Sequence, residues 1–119
     1  MSSSGEKRIA TAANPSIKSL LRLSEKRERE RTGLFAVEGV REISRALESG
    51  VEPVEVYLCT SVTDNGAADL AGRAAASGAS IIEVSKRIFE RIAYRSGVGG
   101  LIMKARIPDT SLARIEYRG

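Results

Sequence analysis

The stretch Gly33-Leu34-Phe35-Ala36-Val37-Glu38-Gly39-Val40-Arg41-Glu42 constrains the fold more than any other. Four apolar residues bounded by a glycine and a Glu-Gly pair are too short and too apolar for anything but a buried strand. Gly33 suits the left-handed residue that ends a preceding helix. Gly39 stands where the strand hands over to a new helix. In open α/β sheets ligands gather at such junctions, because a helix N-terminus offers free N–H groups. The chain before it, through Arg29 and Arg31, delivers positive charge to this corner.

The flanking segments extend the pattern. Asn14-Pro15 is a helix start, with Asn as cap and Pro in the first turn, and the helix is expected to run on to Gly33. Ile17, Leu20, Leu21 and Ser24 fall on one face, and Lys18, Arg22, Lys26 and Arg29 on the other. Beyond Gly39 a helix spans about Val40 to Ser49, with Val40, Ile43 and Leu47 inward, Arg41 and Arg45 outward, and Gly50 closing it. Val54–Cys59 reads as a second strand. Asp64 caps an alanine-rich helix ending at Gly78, Ser80–Val84 is a third strand, and Ser85 caps a helix with Ile88, Phe89, Ile92 and Ala93 inward. Arg87, Arg91 and Arg95 form a second basic stripe there, which adds to the first only if the fold brings the two side by side. Leu101–Ala105 is the last strand. Alternating helices and strands predict an α/β protein, a three-layer α/β/α sandwich with a mainly parallel central sheet. Gly97-Val98-Gly99-Gly100 follows a helix and precedes a strand, the reverse of a nucleotide-binding loop.

Several functions are excluded. The chain has no histidine, so it holds no Ser-His-Asp triad and no Cys-His pair, and one cysteine with no imidazole leaves no zinc site. No catalytic residue and no metal are expected. Cys59, within an apolar run, is expected to be a buried reduced thiol in a cytoplasmic protein. No apolar run approaches the roughly 20 residues of a membrane span. Residues 1–8 read as a flexible leader, 9–108 as the domain, and 109–119 as the start of a linker. The net charge of +4 is mild, so its placement matters more than its total. The stripes are solvated helix faces by default. Adjacency to Arg31, Arg41 and the glycine turn favours a phosphate-contacting surface. Glu38 either stabilises the next helix by its charge or takes part in binding. With two Phe, three Tyr and no Trp, a stacking platform for single strands is poorly supplied, which favours folded RNA read by shape and charge.

Asn14-Pro15-Ser16-Ile17-Lys18, the block from Arg29 through Gly33-Leu34-Phe35-Ala36-Val37-Glu38-Gly39-Val40-Arg41, Ala46–Gly50 and Gly97–Lys104 with Pro108 resemble the N-terminal substrate-binding domain of SpoU/TrmH-type RNA 2′-O-ribose methyltransferases. The resemblance implies a fold similar to kink-turn-binding ribosomal proteins and a role in holding structured RNA, usually ribosomal. Residues expected to bind RNA are Lys18, Arg22, Lys26, Arg29, Arg31, Glu38, Gly39, Arg41 and Arg45. It further implies a separate knotted domain using S-adenosylmethionine; its motifs are not recognisable here, so this chain is expected to bind no cofactor and to be inactive alone. The fragment is expected to be monomeric and its parent homodimeric. Two rivals remain: a stand-alone kink-turn-binding ribosomal-type protein, with Arg41 where that group usually has asparagine, and a protein-interaction α/β domain.

Overall fold

A computed structural model describes residues 7–9, 14–61, 65–93 and 100–108. Among them the order is β1 (Lys7–Ile9), α1 (Pro15–Arg22), α2 (Lys26–Thr32), β2 (Leu34–Glu38), α3 (Val40–Glu48), β3 (Pro53–Leu58), α4 (Asn65–Ala76), β4 (Ser80–Glu83), α5 (Lys86–Ile92) and β5 (Leu101–Arg106). The strands form one sheet in the order β1-β4-β3-β5-β2.

Alternation along the strands sorts side chains into two cores, as the two-residue period of a strand requires. Val56, Leu58, Ile81, Leu101, Met103 and Ala105 pack with Ile43 of α3 and Ala67, Leu70, Ala71 and Ala74 of α4. Tyr57, Ile82 and Ile102 point the other way, onto Ile17 and Leu20 of α1, Leu23, and Phe89 and Ile92 of α5. The three-layer α/β architecture is therefore the expected one. The sheet is mixed rather than mainly parallel. β1, β4 and β3 run parallel, whereas β5 runs antiparallel to both β3 and β2. The seven-residue α5 is roughly 10 Å long, about half the span of a six-residue strand. It does not carry the chain back across the sheet, and β5 starts at the end of the sheet where β3 finishes, with Leu101 opposite Leu58.

Two local expectations are corrected. Lys7 and Arg8, assigned to the leader, belong to β1, which pairs in parallel with β4. Three residues carry no readable periodicity, so only pairing reveals such a strand. The first helix is broken: α1 ends at Leu23 and α2 begins after Glu25. Leu23 is buried in the turn while Leu21 is 40% exposed, so the register of the apolar face differs from that of one continuous helix. α2 buries none of its residues.

The caps follow the sequence. Asn14 accepts the Ser16 N–H at 2.7 Å, and Ser85 accepts that of Ile88 at 3.2 Å. Gly33 has φ +73° and Gly39 φ +102°, conformations that disfavour a side chain. Cys59 is a buried thiol outside any disulfide. The Asp64 cap, Arg95 and Gly97–Gly99 lie outside the described residues.

Candidate nucleic-acid interface

The end of β2 positions the corner that the sequence singled out. Leu34, Ala36 and Glu38 share the sheet face covered by α1 and α5, while Phe35 and Val37 pack on the α3 side. Glu38 consequently points away from the helix that follows it, and α3 has Gly39 at its N-cap with no side-chain hydrogen bond. The Gly39 N–H donates to the Leu101 carbonyl at 3.1 Å, an interstrand contact, so this donor is already used.

Glu38 is only 8% exposed. It lines a pocket of about 110 Å³ together with Leu20, Leu21, Ser24, Ala36, Arg91, Ile92, Ala93 and Ile102. The ends of α1 and α5 form the walls and the sheet forms the floor. Arg91 is exposed and brings the second basic stripe to the same corner as α1. A missed signal lay in the sequence: a carboxylate at the even positions of β2, in register with Leu34 and Ala36, must face the same helices as they do.

The cationic residues divide by layer. Lys18, Arg22 and Lys26 are exposed on the α1–α2 segment, and Arg87 and Arg91 on α5, which shares its core with α1. Arg41 and Arg45 are exposed on α3, which packs on the other face of the sheet. The sequence-predicted set is thus not one stripe but two groups on opposite faces of the sheet. Within the first group, some charges have intramolecular partners. Arg29 donates from Nη1 to the Leu23 carbonyl at 2.8 Å and closes the end of α1. Arg31 pairs with Glu28, whose carboxyl is held below its ordinary value by that hydrogen bond. Lys26 lies 3.9 Å from Glu30. Lys18 and Arg22 are the exposed cations for which solvent-facing phosphate contact is least encumbered by the geometry above.

Beneath α1 sits a polar cluster that sequence reading missed. Lys104, 5% exposed, places its Nζ 2.9 Å from Glu55 Oε1 and 3.2 Å from Ser19 Oγ. The Tyr57 hydroxyl donates to Glu55 Oε1 at 2.5 Å, and Ser16 Oγ donates to Glu55 Oε2 at 3.0 Å. Burial alone would raise the Glu55 carboxyl, but the hydrogen bonds from Tyr57, Lys104 and Ser16 together outweigh it and hold it below its ordinary value. Burial, reinforced by Glu55, pushes the Tyr57 phenol well up. The cluster pins the first turn of α1, and with it Lys18, to β3 and β5. The available signal was a lysine inside the apolar run Leu101–Ala105, since a buried lysine needs a partner.

Among the described residues no group of His, Cys, Asp and Glu could hold a metal ion, and no helix is long and apolar enough to cross a membrane. The pocket does not fit S-adenosylmethionine. Its volume is below the roughly 150 Å³ that encloses one benzene ring in an apolar cavity, far short of a nucleoside joined to an amino acid.

Comparison with curated proteins gave no match. Solved structures did match. An RNA 2′-O ribose methyltransferase is 31% identical with a TM-score of 0.72, covering 89% of this chain and 39% of its own. An AdoMet-bound rRNA methyltransferase from Sinorhizobium meliloti is 21% identical with a TM-score of 0.74, covering 91% and 40%. The SpoU methyltransferase AviRb from Streptomyces viridochromogenes is 21% identical with a TM-score of 0.69, covering 86% and 36%. The chain thus spans less than half the length of each of these proteins, and the shared part is the α/β sandwich described above. A family model of the MRM3-like substrate binding domain matches residues 14–102, which takes in the helix cap at Asn14, the Glu38–Gly39 corner and the start of β5. The chain belongs to the family of MRM3-like substrate binding domains, the kind of domain found in SpoU/TrmH RNA methyltransferases.

Proposed function

We propose that this domain holds RNA for a 2′-O-ribose methyltransferase, with the RNA bound across α1, α5 and the β2–α3 corner. The observation that carries the reading is the family match over residues 14–102, joined to 31% identity over most of the chain with an RNA 2′-O ribose methyltransferase. The exposed Lys18, Arg22, Arg87 and Arg91 on one layer supply cations at the surface where phosphates would lie. Scarce aromatic residues favour a folded RNA recognised by shape and charge. Methyl transfer from S-adenosylmethionine is assigned to a separate domain, following the SpoU/TrmH resemblance and the chain's coverage of 39% of the matched RNA 2′-O ribose methyltransferase. A ribosomal RNA target, a cytoplasmic setting, a role in rRNA processing, a monomeric domain and a homodimeric parent complete the proposal, following the SpoU/TrmH resemblance.

The test is filter binding to structured ribosomal RNA over a salt series. Each phosphate contact contributes about −0.7 to −0.9 to the slope of log affinity against log salt. Lys18→Glu with Arg22→Glu should flatten that slope by roughly 1.4–1.8 and weaken binding, with the melting temperature unchanged. An unaltered slope in the double variant, or no RNA bound at low salt, refutes the reading.

A further inference from the structure

We infer that the pocket at the Glu38 corner is a base-recognition site that takes one unpaired guanine of the bound RNA. The inference rests on the RNA-binding reading and adds to it the identity of a nucleotide. Three features of the pocket carry it. Its walls are aliphatic, Leu20, Leu21, Ile92 and Ile102, and suit the flat face of a base. At about 110 Å³ and open to solvent on one side, it admits the Watson–Crick edge of a base while leaving the rest of the base and the sugar outside. Its acidic group is Glu38, 8% exposed, while the exposed Arg91 stands at the pocket among the cations of α1 and α5.

The chemistry of that carboxylate selects the base. An ionised carboxylate only accepts hydrogen bonds, through two oxygens with about four lone-pair directions. It can therefore receive a base while keeping a protein contact. Guanine alone presents two adjacent donors on its Watson–Crick edge, N1–H and the N2 amino group, which match the two oxygens. Adenine and cytosine offer one amino donor beside a ring-nitrogen acceptor that the carboxylate repels. Uracil offers N3–H between two carbonyls. Sequence-specific RNA recognition commonly targets such splayed-out bases through this edge. Arg91 reaches the phosphate that flanks the inserted nucleotide, as the surrounding cations do for its neighbours. The pocket lies on the α1–α5 side of the sheet, so this contact is separate from anything Arg41 and Arg45 make on the α3 side.

Titration of the isotope-labelled protein with GMP, IMP, AMP, CMP and UMP, followed through the methyl signals of Leu20, Leu21, Ile92 and Ile102, tests the assignment. GMP should shift those signals and bind on the order of tenfold more tightly than AMP, CMP or UMP, the discrimination a bidentate base contact supports. IMP, which keeps N1–H and lacks the amino group, should fall between. Glu38→Gln should erase the preference, its amide presenting a donor where guanine also donates. Equal response to all the nucleotides, or shifts that avoid these methyls, overturns the assignment. If Glu38→Gln does not fold, the GMP-to-IMP ratio on the unaltered protein decides. A chain that binds RNA with a steep salt slope but shows no GMP preference loses only the pocket assignment. A chain that prefers GMP but binds no RNA loses the broader reading instead.

Discussion

Replacing Lys104 with methionine isolates the cluster under α1. Met keeps much of the stem's apolar volume but removes the ammonium, leaving Glu55 with a buried charge and only the Tyr57 and Ser16 hydroxyls as donors. Removing one partner of a buried ion pair typically costs roughly 3–5 kcal/mol, because the remaining charge stays desolvated. Two hydroxyl donors persist and the Glu55 side chain is 16% exposed, so the lower end, about 3 kcal/mol, is expected. For a domain of this size 1 kcal/mol moves the melting temperature by about 4–8 °C, which makes the shift roughly 12–24 °C. Urea denaturation of Lys104→Met against wild type measures the loss. Adding Glu55→Leu should restore most of it, since an apolar pair of similar volume replaces both charges. A single variant within about 0.5 kcal/mol of wild type, inside the range of ordinary surface substitutions, would refute the argument. So would a double variant no better than the single.

Other outcomes follow from the same geometry. Asn14→Ala removes the acceptor for the Ser16 N–H and should cost about 1 kcal/mol, read from the urea midpoint. The folded Glu55 carboxyl lies below its ordinary value of 4.5. Its stabilisation is therefore present above that pH and lost as pH falls through the lower folded value, and Glu55→Gln should flatten this acid limb of the stability profile. The Tyr57 phenol is raised above its ordinary value of 10.0. Its contribution is present below pH 10 and lost as pH rises beyond it, so Tyr57→Phe should remove that part of the alkaline loss.

The sequence by itself determined the local framework. Asn14 and Ser85 were legible as caps because a short polar side chain before a helix has one favourable use. Gly33 and Gly39 were legible as turns, since both adopt positive φ. The apolar runs of β2, β3, β4 and β5 announced buried strands, and the Leu34–Arg41 block carried the family resemblance. Tertiary structure decided what lies beside what. Whether β5 runs parallel or antiparallel depends on the end of the sheet at which it starts, and the spacing of its own residues is the same either way. The break at Leu23–Glu25 follows from packing Leu23 into the core, a gain invisible along a single helix. β1 exists through its partner β4. Lys104 and Glu55 are far apart in the chain and meet because β3 and β5 are neighbours in register. The corner itself divided in the same way. Its residues were visible in sequence, but alternation across a folded sheet turned Glu38 toward α1 and α5 while Arg41 and Arg45 went to the other layer. Local chemistry writes turns, caps and periods into the chain; side-chain direction and long-range partnership arise only when the sheet closes.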